Sequence, residues 1–351
     1  MTGKRRPRVA PASSGQQDVL VVGGGAFGTT LAHSLAAIDR RVLLWVRRED
    51  QARAINETHE NPGHLPGLTL ASGLRATTDL RDAVRRSPIV LVVVPSRWFR
   101  GVAREIGDHL VGDQILVHAT KGIEQGSFKR MSEVLKEETC ALKIGVLSGP
   151  NLAREMAQGK PAGALVASRF DEVVHRVQGL FQGSLLRLYG GHDVIGAEIG
   201  GAFKNIIALA AGVVDGLALG DNMKALLITR GLSEMARFGV ALGAEVFTFG
   251  GLAGIGDLMA TCASPLSRNH QVGVRLAAGE SVNDIEASMS SVAEGVPTTR
   301  AVHEQALARG LDLQIVRGVY GVLYGGAAPA EAIRELLQSP AGDEMAALRF
   351  K

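Results

Sequence analysis

Three groups of residues have the type and spacing to do chemistry. The first is Gly23–Gly24–Gly25–Ala26–Phe27–Gly28, which follows the apolar run Asp18–Val22 and precedes a helical pattern with Leu31, Leu35 and Ile38 on one face. Gly23, Gly25 and Gly28 occupy the G-x-G-x-x-G positions of a dinucleotide-binding turn. The first glycine permits the tight turn and the second lets the backbone approach a pyrophosphate. The third lets the helix lie close to the sheet, with its N-terminal N–H groups aimed at the anion. A second strand, Arg41–Val46, then delivers Arg47 and Arg48 to the place where a carboxylate would grip a ribose 2′-hydroxyl, and Glu49 and Asp50 come only beyond them. Arginine suits a 2′-phosphate, so the expected cofactor is NADPH, with NADH also admitted.

The second group is Lys204–Asn205. Gly200, Gly201, Phe203, Ile206, Ile207 and Leu209 surround the pair, giving a helix that is apolar nearly all round and therefore buried. An ammonium in such a helix either snorkels to the surface or has a task. Burial lowers a lysine pKa toward neutrality, which suits a general acid/base. Both readings stand on the spacing alone.

The third group is a glycine-dense run, Gly250–Gly251–Leu252–Ala253–Gly254–Ile255–Gly256, closing on Asp257. Asp257 reads either as a helix N-cap or as a polar group beside a site that needs close backbone approach. Ten residues on, Ser267–Arg268–Asn269 opens a helix that runs toward Ala278. Ser267 fits the N-cap, and a helix N-terminus carrying an arginine is suited to phosphate. Two further segments end buried strands. Lys121, in Val117–Gly122, could meet a phosphate or carbonyl, or be an ordinary solvated loop lysine. Asn151, in Ser148–Gly149–Pro150–Asn151, is placed as the N-cap of the following helix and is also within reach of a ligand there.

These residues need a scaffold. The first half alternates strand candidates (Asp18–Val22, Arg41–Val46, Ile89–Val94, Gln114–His118, Lys143–Leu147, Gly163–Ala167 and Leu186–Tyr189) with helical patterns at Leu80–Arg86, Phe99–Leu110, Phe128–Glu138 and Glu172–Phe181. That alternation predicts βαβ units and a mostly parallel, doubly wound Rossmann-type sheet. After Asp193 long helical periodicities take over, at Gly196–Val214, Asn222–Leu242, Asn269–Ala278, Thr299–Ala308 and Ala328–Gln338. The expected organisation is a tail at 1–17, a dinucleotide-binding α/β domain at 18–192 and an all-α substrate and catalytic domain at 193–351. Ligands in open α/β sheets bind beyond the carboxyl ends of the strands, so the cleft should open between that edge and the helices.

At 351 residues the chain is long enough for two domains, since single cores stop growing near ~250–300 residues. A hydrophobic content of 46% and a charged content of 21% are those of an ordinary globular protein. The net charge of +3 is local: without Lys4, Arg5, Arg6 and Arg8 the chain carries 34 basic and 35 acidic residues. Nucleic-acid binding by the folded part is disfavoured. The basic head reads as a disordered tail and lacks the apolar segment of a secretion signal. Cys140 and Cys262 form neither a disulfide framework nor a metal-binding spacing, so no metal is expected and the cytoplasm is the default. The apolar stretch Ile195–Leu219 is interrupted by Glu198, Lys204, Asn205 and Asp215 and is read as a buried core helix, not a membrane span.

Taken together, the blocks resemble the bacterial NAD(P)-dependent glycerol-3-phosphate dehydrogenases, from Val19 to about Leu336. The carriers are Gly23-x-Gly25-x-x-Gly28-Thr29, Leu44–Trp45–Val46–Arg47, Lys121–Gly122–Ile123–Glu124, Ser148–Gly149–Pro150, Gly200–Gly201–Ala202–Phe203–Lys204–Asn205, Leu227–Ile228–Thr229–Arg230–Gly231, Gly254–Ile255–Gly256–Asp257–Leu258, Ser267–Arg268–Asn269 and Ala293–Glu294–Gly295. Only the first is generic. The resemblance implies that Lys204 is the catalytic proton donor and acceptor, with Asp257 orienting it or the substrate hydroxyl. It implies substrate contacts at Lys121, Gly149, Asp257, Ser267, Arg268 and Asn269. It implies cofactor contacts at Ala26, Phe27, Arg47, Lys121, Ala153, Arg268, Val292 and Glu294. Phe27 stands where the family has tryptophan and keeps an aromatic face. Asn151 stands where it has serine, and an amide can donate as well.

The implied reaction is reduction of dihydroxyacetone phosphate to sn-glycerol 3-phosphate, without a metal. The expected partner is that small phosphorylated substrate, with a homodimer left open. Two other readings compete: a different two-domain NADP-dependent hydroxyacid or phosphosugar dehydrogenase, and a nucleotide-sensing homologue that has lost catalysis. The Ser267–Arg268–Asn269 helix start favours a phosphate over a plain acid. The retained Lys204–Asn205 pair argues against a dead homologue.

Overall fold

A computed structural model describes residues 18–289 and 293–338. Eight strands form one sheet: β1 Val19–Val22, β2 Val42–Trp45, β3 Arg75–Thr77, β4 Ile89–Val92, β5 Ile115–His118, β6 Ile144–Ser148, β7 Ala162–Ser168 and β8 Leu186–Gly191. The helices between them are α1 Ala26–Ala36, α2 Glu49–Glu57, α3 Leu80–Arg85, α4 Ser96–Gly107, α5 Met131–Glu138, α6 Ala153–Ala157 and α7 Asp171–Phe181. From residue 193 onward the described residues contain helices only: α8 Val194–Gly216, α9 Gly220–Ala241, α10 Asp257–Ala263, α11 Arg268–Ala277, α12 Val282–Ser288, α13 Gly295–Ala308, α14 Gln314–Tyr324 and α15 Pro329–Gln338.

Strand order is β3-β2-β1-β4-β5-β6-β7-β8, and every pairing is parallel except β6 with β7. The chain leaves β1 in one direction for β2 and β3, then returns to lay β4 on its other side. The crevice where the order reverses lies at the carboxyl ends of β1 and β4, the place where doubly wound sheets bind nucleotides. Both sheet faces are covered, so the strands read as continuous apolar runs. Side chains nevertheless alternate: Val19 and Val21 pack with Leu31 and Leu35 of α1, while Leu20 and Val22 pack with Phe99 and Ile106 of α4.

The glycine turn is held by steric necessity. Gly23 has φ +123°, and a Cβ there would lie 2.3 Å from Val93 O; a Cβ at Gly28 would lie 2.0 Å from Gly23 O. Two side chains outside the motif brace it from below. Gln51 Nε2 donates to Gly24 O at 2.7 Å, and Asn61 Nδ2 donates to Gly24 O at 3.0 Å and to Thr29 Oγ1 at 2.8 Å.

Helix α8 is the axis of the second half. It is long and apolar enough to cross a membrane by composition, but 89% of its most apolar window is buried inside the protein. Helices α9, α10, α11 and α13 pack around it, and Asp193 caps its start by accepting from Gly196 N at 2.8 Å.

Several elements differ from expectation. The short edge strand β3 and helices α2, α10, α12 and α14 have no counterpart in the sequence reading. Asn151 is not a helix cap: α6 begins two residues later, after Leu152, and the Asn151 amide turns to Gly163 O instead. The basic head at 1–17 lies outside the described residues.

Candidate active site

The three chemical groups converge where the carboxyl edge of the sheet meets α8 and α10. At the centre is Asp257, the first residue of α10 and only 1% exposed. One of its oxygens accepts from Lys204 Nζ at 2.5 Å and the other from Lys121 Nζ at 2.7 Å. Asp257 is thus a counter-ion and not an N-cap, and Gly256 occupies the cap position. Lys204 comes from the middle of α8 and is 6% exposed. Lys121 comes from the segment after β5 and also donates to Gly149 O at 2.8 Å, which removes it from the class of solvated loop lysines.

Thr261 completes the Lys204 environment. Its hydroxyl accepts from Lys204 Nζ at 2.7 Å and donates to the Asp257 carbonyl at 2.6 Å. Sequence reasoning missed this residue, although Asp257 and Thr261 are four apart on one helix and therefore share a face. Burial drives the Lys204 pKa down, Asp257 pulls it back up, and the neighbouring Lys121 ammonium lowers it again, for a value of about 7. A lysine so poised can both give and take a proton near neutral pH.

Backbone packing brings α8 within reach of the strand ends. A Cβ at Gly201 would lie 2.8 Å from Ser148 Oγ, and one at Gly200 would lie 2.3 Å from Ala253 O. Two buried polar atoms beside this contact, Ser148 Oγ and Asn151 Oδ1, have no hydrogen-bond partner among the described residues. Gly149 takes φ +155°, with Ala164 and Gly163 crowding where its side chain would be. The Ser148–Asn151 segment therefore offers the site unused acceptors, which a ligand hydroxyl would satisfy.

The anion-binding residues sit on two sides of this centre. On α11, Ser267 is the N-cap expected, accepting from His270 N at 3.3 Å. Arg268 follows it; solvent reaches the guanidinium although protein surrounds it on most sides, as in a cleft. Burial works against its charge and Glu294 supports it. Asn269 is held inward: it donates to Asn205 Oδ1 at 2.9 Å and accepts from Gly295 N at 2.9 Å, joining α8, α11 and α13. The His64 pKa is lowered by burial and by the charges of Arg48 and Arg268.

The glycine turn fits a dinucleotide. The first backbone bond of α1 runs from Thr29 N to Gly25 O, leaving the N–H groups of Ala26, Phe27 and Gly28 at the open end of the helix. A Cβ at Gly25 would meet nothing within 4 Å, so the outer side of the turn is open. Phe27 packs partly into the sheet core. Arg47 is exposed at the end of β2 with no hydrogen bond or ion pair among the described residues, whereas Arg48 pairs with Asp50 at 3.3 Å. Ala153 lies against α1, its carbonyl accepting from Thr30 Oγ1 at 3.1 Å. Glu294 accepts from Ser96 N at 3.1 Å and Ser96 Oγ at 2.6 Å, fastening the start of α13 to the start of α4. Val292 lies outside the described residues.

Comparison with known proteins agrees with this architecture. Residues 18–174 match the model of the NAD-dependent glycerol-3-phosphate dehydrogenase N-terminus, and residues 193–334 match that of the C-terminus. A glycerol-3-phosphate dehydrogenase [NAD(P)+] of Streptomyces griseus is 44% identical, with 92% of this chain and 97% of that protein covered. One from Nitratidesulfovibrio vulgaris is 45% identical, over 91% and 97%. The crystal structure of glycerol-3-phosphate dehydrogenase from Coxiella burnetii superposes with a TM-score of 0.88 at 32% identity, covering 93% of this chain and all of that one. With its two halves both matched and relatives at 44% and 45% identity over nearly their whole length, the chain belongs to the NAD(P)-dependent glycerol-3-phosphate dehydrogenase family.

Proposed function

We infer that this protein catalyses the reversible NAD(P)H-dependent reduction of dihydroxyacetone phosphate to sn-glycerol 3-phosphate, the backbone precursor of glycerophospholipids. The observation that carries the reading is Lys204: a buried ammonium with its pKa near about 7, fixed by Asp257 and Thr261 at the carboxyl edge of a nucleotide-binding sheet. The family relationship supplies the substrate class.

The nicotinamide cofactor supplies a hydride when bound. In our reading the N–H groups of Ala26, Phe27 and Gly28, brought close by Gly23 and Gly25, hold its pyrophosphate, and Arg47, with Arg48 behind it, holds a 2′-phosphate. Ala153, Arg268 and Glu294 complete that side. Arg268 and the Ser267-capped end of α11 take the substrate phosphate, where aligned N–H groups and a guanidinium fork favour a dianion. Gly149, Asn151 and Asn269 line the remaining contacts.

At the ketone, the protonated Lys204 gives its proton to the oxygen that becomes an alkoxide as the new C–H bond forms. In the reverse direction the neutral amine takes the hydroxyl proton. Asp257 keeps the lysine aimed through either step, and the second ammonium, Lys121, stabilises negative charge on the oxygen. We further propose that residues 18–192 are the dinucleotide-binding unit and 193–351 the substrate and catalytic unit, a division supported by the change from β8 to α8 between Gly191 and Val194. A cytoplasmic, homodimeric enzyme is part of the proposal; exposed Leu219, before α9, and Leu226, in its second turn, supply apolar surface for pairing.

The direct test is NADPH oxidation followed by absorbance. Purified protein should turn over dihydroxyacetone phosphate and fail with unphosphorylated dihydroxyacetone; equal rates on both would refute a phosphate site at Arg268. Arg47→Asp should weaken NADPH binding by about 1.5–3 kcal/mol, the range for a lost charged hydrogen bond, while NADH binding barely changes. An unmoved NADPH/NADH ratio by titration would remove Arg47 from the cofactor site. Lys204→Ala should lower kcat by about 10²–10⁴, the range for a positioned acid/base, with NADPH affinity retained. Its melting temperature should hold, because Asp257 keeps Lys121 as a counter-ion and the buried ammonium's desolvation cost is gone. Near-native turnover would reject Lys204 as the acid.

A further inference from the structure

One buried ionic cluster takes no part in the steps above. Glu198, in the second turn of α8, is fully enclosed and gathers groups from the sheet side. Ser132 N donates to Oε1 at 2.7 Å; Ser132 Oγ and Arg130 Nη1 donate to Oε2 at 2.8 and 2.6 Å. His118 Nε2, at the end of β5, lies 3.0 Å from Oε1. Neither ring nitrogen of His118 makes a hydrogen bond among the described residues, so the ion pair that joins α8 to the sheet half is Arg130–Glu198.

The placement of these groups matters more than their number. His118 is the last residue of β5, and three residues later the same segment presents Lys121. Between them the segment is tied to β4, by Ala119 N to Val92 O at 2.9 Å and Thr120 Oγ1 to Val94 O at 2.7 Å. Glu198 is six residues before Lys204 on one continuous helix, an axial distance of about 9 Å with the two side chains about 120° apart around the axis. The carboxylate therefore ties one face of α8 to the start of α5 and sets it beside His118, the end of the strand that leads to Lys121, while another face presents Lys204. A helix held at one azimuth and one height has one orientation for every side chain along it.

We propose that Glu198 is a positioning residue for catalysis: it fixes the rotation and height of α8 relative to β5, so that Lys204 and Lys121 reach opposite oxygens of Asp257. The need is geometric: two ammonium groups must reach the two oxygens of one carboxylate, at 2.5 and 2.7 Å, from different elements of the fold. The close approach of Gly200 and Gly201 to Ala253 and Ser148 sets the spacing of α8 from its neighbours, and the Glu198 contacts add a directional tie one turn away. Burial opposes charge on Glu198, yet His118, Arg130 and the Ser132 N–H hold its pKa at about 2, so the clamp stays ionised through the working pH range.

The inference rests on the reductase reading, and the experiment separates the two. Turnover of dihydroxyacetone phosphate, NADPH affinity, the pH profile of kcat and the melting temperature are measured for the wild type and for Glu198→Gln. The charges facing Lys204, from Asp257 on α10 and Lys121 beyond β5, set where kcat falls with pH. The expected result is a kcat lower by about 10–100-fold, the effect of a displacement near 1 Å, with NADPH affinity unchanged and the pH of that fall displaced from the wild-type value. A folded variant with wild-type kcat and pH profile, whatever its melting temperature, overturns the proposal, as does a loss confined to KM or to NADPH binding. Should Glu198→Gln fail to fold, Arg130→Gln, which leaves the Ser132 bonds in place, is judged on the same readouts and should show a smaller fall with the same displacement. A wild type inactive on dihydroxyacetone phosphate overturns the functional reading and this inference with it; an active wild type with unaltered variants overturns the inference alone.

Discussion

Everything at this site depends on one carboxylate placed between two ammonium groups. Removing charges from water is expensive, and an isolated buried lysine would simply lose its proton. Asp257 makes a buried and a half-buried cation tolerable at once: it offers one oxygen to Lys204 and the other to Lys121. Burial lowers the Lys204 pKa most, Asp257 raises it, and because the carboxylate is shared with Lys121 the balance leaves Lys204 at about 7. A full counter-ion would have made Lys204 a permanent cation; none would have made it a permanent base.

That arrangement explains why the fold is built as it is. Lys121 belongs to the sheet, Lys204 to the central helix, and Asp257 to a short helix packed against both. None of the three is adjacent in sequence, so their meeting requires the β5 terminus, α8 and α10 to be fixed relative to one another. Bare backbone does part of this, through the close approach at Gly200 and Gly201. Polar pins do the rest, with Glu198 at one end of α8 and the Asn205–Asn269–Gly295 chain in its middle. The same packing leaves Ser148 Oγ and Asn151 Oδ1 without protein partners beside the reacting groups, where a hydroxylated substrate would meet them.

Much of this was legible in the sequence, and the exceptions have physical causes. The buried parallel strands and the glycine turn are local patterns, and they stand within a residue or two of where they are expected. Lys204 was conspicuous because an ammonium in an all-round apolar helix has few comfortable explanations. Its partnership with Asp257 was not derivable from pattern, since the two are 53 residues apart and only packing joins them. Asn151 was misplaced as a cap because cap preference is weaker than the pull of a nearby carbonyl, Gly163 O, on the adjacent strand. Glu198 read as an interruption of a hydrophobic stretch; its meaning lies in Arg130, Ser132 and His118, which come from a different half of the chain. The edge strand β3 has three residues, one of them an exposed arginine, and offers no alternation to read. Helix α10 was hidden by the glycines before it, and α14 by Gly318 and Gly321 within its apolar pattern.

The central claim is that Asp257 sets the protonation of Lys204 against the opposing effects of burial and Lys121. It is tested most directly by the pH dependence of kcat for reduction in the wild type and in Asp257→Asn. Reduction needs protonated Lys204, so the wild-type kcat should fall as pH rises through about 7. With the carboxylate gone, both remaining influences lower the lysine pKa, and the fall should move to lower pH in a slower enzyme. A fall that stays in place, or moves to higher pH, would contradict the account.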